Sequence, residues 1–263
     1  MRSKTLMTGL FVAALASGMA NAAVVEDVKA NDEGLKKFSA GLKIVDVDGE
    51  KAFVAKRKGF TTYYVKQGIK IDPDKKYQLS VKIKQFIPSH SSTYIGFIPV
   101  DAKNRGIRCK NGSSNTKGSA TVLASNVYKG STAITVNDAS NWEKGGNDYV
   151  AFNVKDDLSD TPNFEVAGPI TKIEETGNVY TIELKTPFKK GYPAGTKVRQ
   201  HSAGNTYIYT KIGVVPTKWT VWKGKVVTGA TLRKATTIRP MLLIRNPKGA
   251  GIVFTDLIVE ELD

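Results

Sequence analysis

Residues 77–86 read YQLSVKIKQF, with Leu79, Val81 and Ile83 at every second position and Ser80, Lys82 and Lys84 between them. Successive side chains of an extended chain point to opposite faces, so this stretch is a half-buried antiparallel strand. Residues 238–246, IRPMLLIRN, behave the same way. Leu242 and Ile244 share one face, and Arg239, Met241, Leu243 and Arg245 share the other. Residues 251–262, GIVFTDLIVEEL, supply a last strand, and the only helix-like stretch, NDEGLKKFSAGL at 31–42, is short and interrupted by glycines. Val, Ile, Thr and Tyr are frequent throughout, which predicts an all-β protein.

Between these strand-rich arms the texture changes. CKNGSSNTKGSA at 109–120 is polar and rich in glycine and serine, as linkers are. Residues 23–115 carry 18 basic and 10 acidic side chains, residues 116–207 ten of each, and residues 208–263 nine and four. The basic character thus belongs to the two arms. The neutral block has its own short strands, in STAITVND, DYVAFNV, GPITKIEE, NVYTIELK and TKVRQHS, with turns expected at 144–147, 176–178 and 192–195. Neither arm has enough strands to close a sandwich. The expected organisation is therefore one discontinuous sandwich, 23–115 with 208–263, carrying residues 116–207 as an inserted small β-barrel-like domain.

The first 22 residues have the pattern of a secretory signal peptide: Arg2 and Lys4, an apolar run, then small residues ending at Ala22. That run is shorter than the roughly 20 residues a membrane span needs. An exported chain follows, extracellular, periplasmic or held at a bacterial surface by contacts, with no membrane insertion. Cys109 is the single cysteine, so no internal disulfide assists the fold and the core must carry it.

Four stretches, YYVKQGIKIDPDKKYQLSVKIK (63–84), TYIGFIPVDAKNRGI (93–107), TKWTVWKGKVVTG (217–229) and IRPMLLIRNPKGAGIVFTDLIVEEL (238–262), together resemble the galactose-binding-like jelly roll of carbohydrate-binding modules. The middle block, from GSTAITVNDASNW (130–142) to YPAGTKVRQHSAGNTYIY (192–209), is similar to an insertion in jelly rolls of bacterial and phage surface and appendage proteins. The resemblance spans nearly all of the chain after the signal. It rests on strands and turns, and so implies a fold more than a ligand. It also implies a structural calcium near the meeting of first and last strands, with Asp256 as the matching aspartate and Glu26 or Asp27 as partners. The alternative is a solvated aspartate on an edge strand. DVDGE at 46–50 starts like a calcium loop but lacks the later ligands, so a hairpin turn at Asp48-Gly49 is expected.

Sugars are held by aromatic faces and by polar groups that fix orientation. Tyr63, Tyr64, Tyr94, Trp219 and Trp222 are the candidates in the arms. Trp219 and Trp222 are separated by an odd number of residues and must point to opposite faces of a strand. The resemblance makes Trp219 the structural member and leaves Trp222 as the ligand residue; a core role for both, around a bulge, stays open. Lys82, Lys84, Arg239 and Arg245 oppose apolar faces, where an acidic polysaccharide would suit them, or where they simply keep the sheets soluble.

Enzyme chemistry is poorly represented. YYVKQGIKI at 63–71 is faintly similar to a segment of jelly-roll alginate lyases, whose Gln-Ile-His motif is absent here. His90 and His201 fall in different blocks, Asp156, Asp157 and Asp160 read as loop residues, and Cys109 lacks an activating context. Export and the lack of any recognition motif count against nucleic acid as a partner. The sequence therefore predicts a secreted, non-catalytic carbohydrate-binding or adhesion module. The alternative partner is a cell-surface protein, contacted by a structural surface or appendage component, and a polysaccharide lyase is the remaining outlier.

Overall fold

The computed structural model describes residues 22–39, 41–143 and 147–263. Residues 1–21 of the signal peptide expected at 1–22, and most of the turn expected at 144–147, lie outside the described residues. The first arm contains β1 (Ala22–Val28), α1 (Asp32–Lys37), β2 (Lys43–Val47), β3 (Glu50–Ala55), β4 (Gly59–Tyr64), β5 (Ile69–Lys70), β6 (Lys76–Ile87) and β7 (Ser92–Val100). The middle block contains β8 (Thr121–Val122), β9 (Ala133–Val136), β10 (Asp148–Phe152), β11 (Val166–Ala167), β12 (Ile170–Thr176), β13 (Val179–Leu184) and β14 (Lys197–Ser202). The chain returns through β15 (Ile208–Val214), β16 (Thr220–Lys223), β17 (Val227–Thr228), β18 (Thr237–Asn246) and β19 (Gly251–Leu262).

Strands of the two arms interleave. One sheet has the order β16-β6-β19-β3-β2, with β1 also on β19 and β17 on β6; the other has the order β15-β7-β18-β4, with β5 on β18. The chain crosses between the sheets from β3 to β4, from β5 to β6 and from β6 to β7, and after its excursion from β15 to β16, from β17 to β18 and from β18 to β19. That is the connectivity of a jelly roll. β6 and β19 pair from Gly251 opposite Ile87 to Leu262 opposite Lys76, and β18 lies between β4 and β7. Asp48 and Gly49, at φ 57° and 76°, form the turn between β2 and β3, the left-handed pair that a two-residue hairpin needs.

The alternation read from the sequence is realised in the core. Leu79, Val81 and Ile83 of β6 meet Leu242 and Ile244 of β18 between the sheets, while Lys82 and Lys84 point away. Phe38, at the end of α1, closes one flank of this core. Its ring lies 5.1 Å from that of Phe53 and 5.7 Å from that of Phe254, both at steep, edge-on angles. Helix α1 starts where the Asn31 side chain accepts the Gly34 N–H at 2.8 Å. Gly34 must be glycine, because a Cβ there would sit 1.9 Å from the Lys29 carbonyl oxygen.

Strand register settles the two tryptophans. Trp222 stands opposite Val81, an inward residue, and neighbours across a ladder share a face. It is consequently 6 % exposed and belongs to the core. Trp219 precedes β16 on the outer side, against Ala52, Val54 and Val253, with the ammonium groups of Lys82 and Lys84 each 5.4 Å from its ring. The two point to opposite faces as expected, but Trp222, expected as the ligand residue, is a core residue.

Strands β11-β10-β14-β8 and β12-β13-β9 form two further sheets in the middle block, tied at one edge by a bridge between Leu123 and Val136. They enclose a core of their own around Phe152, which stacks on Tyr192 at 4.0 Å and meets Phe188 edge-on. Trp142 joins this core and donates its indole N–H to the Ser119 carbonyl at 2.8 Å.

Where this block meets the chain entering it, His201 of β14 is fully buried. Arg199 Nε donates to His201 Nε2 at 2.9 Å, so the ring proton is on Nδ1 and is donated to the Lys110 carbonyl at 2.8 Å. Arg199 also pairs with Asp160 at 2.9 Å, both side chains being buried. Burial, assisted by the Arg199 charge, pushes the His201 pKa down to about 4, against the opposing effects of the Lys110 carbonyl and Asp160.

Two outcomes follow from this packing. Trp222→Ala is expected to destabilise the protein by about 3–5 kcal/mol, and Trp219→Ala by about 1–2 kcal/mol; urea unfolding of both variants reads the order, and a reversed order would contradict the register. The second concerns pH. A histidine held neutral in the folded state contributes stability above its unfolded pKa of about 6.5, and this is lost as pH falls toward 4, by about 3 kcal/mol in all. Urea unfolding at several pH values from 7.5 to 4.5 should show this decline in the wild type and a flatter profile in His201→Asn; equal slopes would remove His201 as the cause.

Candidate ligand-binding face

Pairing along β15, β7, β18 and β4 fixes which side chains share the outer face of the five-stranded sheet. Val214, Ser92, Arg245 and Phe60 form one row, Ile212, Tyr94, Leu243 and Thr62 the next, and Tyr209, Gly96, Met241 and Tyr64 a third. The inward partners on the same strands, Tyr63, Ile95, Phe97, Leu242 and Ile244, belong to the core. Alternation therefore places an aromatic set on the outside for the same reason that it fills the inside.

The aromatic rings form a chain across the sheet. Phe60 lies 6.5 Å from Tyr94, Tyr94 lies 5.1 Å from Tyr209, and Tyr209 lies 6.0 Å from Tyr207, centroid to centroid. The Tyr207 hydroxyl returns across the face to share a 3.3 Å hydrogen bond with Thr62. Gly96 permits this arrangement, since a Cβ there would lie 2.0 Å from the Ile208 carbonyl oxygen where β15 bulges between Tyr209 and Lys211. Phe60 on edge strand β4 is 60 % exposed, and Ile212 and Val214 on the opposite edge strand β15 are 57 % and 60 % exposed. Burial first, then the neighbouring Tyr207 and Tyr94, raise the Tyr209 phenol above its usual range, which keeps it a neutral hydroxyl.

Both arginines foreseen from the sequence lie on this face. The Arg245 guanidinium carbon is 5.5 Å from the Phe60 ring centre, and that of Arg239 is 5.7 Å from the Tyr64 ring centre. Arg239 also donates to the Asn104 side-chain oxygen. Arg245 shares an open groove of about 400 Å³ with Lys58 and His90 at the Phe60 end. No carboxylate stands in these rows, so the face offers aromatic rings, hydroxyls and cations together.

Tyr64, Tyr94, Arg239 and Arg245 are thus brought together, and the other expected ligand residues are not. Lys82 and Lys84 are on the outer side of the opposite sheet, paired with Glu50 at 2.6 Å and Asp48 at 2.5 Å. Their charges are already compensated by those carboxylates. Trp222 is in the core. Phe60, Tyr207 and Tyr209 were missed. Phe60 alternates with Thr62 and Tyr64, a signal readable in the sequence, whereas Tyr207 and Tyr209 fall at the junction of block and arm.

The residues expected at a calcium are also placed. Asp27 and Asp256 converge, Asp256 at φ 49° in a bulge of β19, but the Lys29 ammonium lies 3.3 Å from one and 2.8 Å from the other. Glu26 pairs instead with Lys37 at 2.7 Å. A lysine occupies the position between the carboxylates, and among the described residues no group of three or more metal-ligating side chains occurs. This donor set does not fit a cation that needs six to eight oxygens. His90 is exposed while His201 is buried in the middle block, so the two do not share a site. Among the described residues no helix is long and apolar enough to cross a membrane.

No family model matches the sequence, and no curated protein matches it. Among solved structures, the chain is similar to a lectin from Bauhinia forficata in complex with GalNAc, at 8 % identity and a TM-score of 0.31, over 92 % of this chain and 98 % of the lectin. At that level of similarity neither a ligand nor a site passes from the lectin to this chain.

Proposed function

We propose that this protein is a non-catalytic carbohydrate-binding module, exported by its N-terminal segment, that holds a polysaccharide on the outer face of the five-stranded sheet. One observation carries the reading: the ring chain Phe60–Tyr94–Tyr209–Tyr207 lies on a rigid antiparallel sheet next to Arg239 and Arg245. Aromatic faces stack on the C–H patches of sugars, hydroxyls and guanidinium groups orient them, and a preformed sheet lowers the entropy lost on binding. Arg245, Lys58 and His90 at one end favour a polymer bearing carboxylate or sulfate groups. Residues 116–207 are read as an inserted β-domain on the ground that their sheets and core are their own.

A second reading is favoured by Ile212 and Val214, exposed side by side on the edge strand β15. Together they make an apolar edge of the kind that meets another protein in a surface or appendage assembly.

The test is binding to arrays of neutral, uronate-bearing and sulfated glycans at low salt, with solution size measured in parallel. Phe60→Ala combined with Tyr94→Ala is expected to weaken binding about tenfold or more, since each aromatic contact is worth about 0.5–1.5 kcal/mol beyond its area, with the fold unchanged. Absence of binding to every glycan class would end the carbohydrate reading. A stable assembly dispersed by Ile212→Ser would establish the second.

A further inference from the structure

A different cluster lies on the middle block. Its balanced charge conceals segregation, because Lys185, Lys189 and Lys190 fall within six residues, whereas Glu174 and Glu175 lie on β12 and Glu183 on β13. Lys110, Lys189 and Lys190 line one open groove of about 460 Å³ with Tyr149, Phe164 and Phe188.

The position of Lys110 is built from the backbone outward. Its carbonyl accepts from His201, the residue directly opposite Tyr149 in the β10–β14 ladder. Next to it, Asn111 is locked to Asn163 by two 2.8 Å hydrogen bonds, Asn163 N to the Asn111 carbonyl and Asn111 Nδ2 to the Asn163 carbonyl. The side chain is thereby carried over Tyr149, with its ammonium 4.6 Å from the ring centre. Lys190 is neutralised by Glu165 at 2.8 Å, and that carboxylate is further engaged by Asn153. Lys110, Lys189 and the adjacent Arg108 have no carboxylate within ion-pair distance among the described residues. Burial, then Arg108 and Lys189, push the Lys110 ammonium below its usual range, as expected for a partly desolvated cation among like charges.

The geometry points to a second ligand site, in which this groove takes a sulfate or carboxylate group carried on a sugar ring, held by Lys110 and Lys189 against Tyr149. A ring-borne oxyanion supplies the missing counter-charge and an apolar face for the aromatic wall. The site is separate from the face of the five-stranded sheet, so the two stand or fall independently.

The experiment uses the full mature chain with dextran sulfate and polygalacturonate as probes and neutral dextran as the blank. Lys110→Gln with Lys189→Gln should weaken binding of at least one charged probe about tenfold or more, as expected for losing charge-assisted contacts, while melting temperature is retained. The charge-matched variant Lys43→Gln with Lys51→Gln, on the β2–β3 hairpin and outside the groove lining, should change it less than about twofold, since exposed isolated charges contribute little. Equal losses in both variants would mean general attraction of a polyanion to a basic protein, and no loss in either would mean no site; each overturns the proposal. Phe60→Ala with Tyr94→Ala, tested on the same probes, reads the sandwich face separately.

Discussion

The pairing of β6 with β19 holds the molecule together. It joins residues 76–87 to residues 251–262 over the whole length of both strands, placing one strand of each arm at the centre of the seven-stranded sheet. β18 does the equivalent in the other sheet, bonded to β4 on one side and β7 on the other. Each sheet is therefore a joint product of chain segments more than a hundred residues apart. Such contacts carry a large loop-closure cost and are stabilised only when the two inner faces meet as a core. With no disulfide to assist, the interdigitation of Leu79, Val81, Ile83, Leu242, Ile244, Phe53 and Phe254 supplies that stabilisation.

This explains what was legible beforehand. Strict alternation in residues 77–86 and 238–246 identified the strands and their inward faces, because period two is a local property of the backbone. The charge break and polar linker set the expected boundary at 116, and the sheets β11-β10-β14-β8 and β12-β13-β9 lie between the arms. What stayed hidden depended on register. In WTVWK either face carries one tryptophan, and only the ladder opposite Val81 turns Trp222 inward. Similarly, Lys82 and Arg239 look equivalent in sequence, yet they stand on opposite outer surfaces and meet different partners. Asp27 and Asp256 do converge, but the Lys29 ammonium stands between them, and nothing in the spacing foretold it.

Electrostatics follow the same logic of placement. Of the cations singled out from sequence, those with acidic neighbours across the ladder or the adjoining turn are neutralised in place, as Lys84 is by Asp48 and Lys82 by Glu50. Arg245 at Phe60 has no carboxylate within ion-pair distance among the described residues, and the same holds for Lys110 at Tyr149, which the sequence did not single out. A formal net charge is a poor guide to either class, because the balanced middle block holds both, Lys190 paired with Glu165 and Lys189 with no carboxylate within ion-pair distance among the described residues.

The middle block leaves after β7 and returns at β15, and these strands are antiparallel neighbours with Phe97 opposite Ile208. Adjacent strands lie about 5 Å apart. In the grammar of the sandwich, some hundred residues are thus an oversized hairpin loop whose two stems are already clamped by the ladder. The excursion also lends side chains back to the sheet between its stems, Tyr207 to Thr62 and Asn104 to Arg239, so part of the outer face is supplied by the loop and not by the ladder.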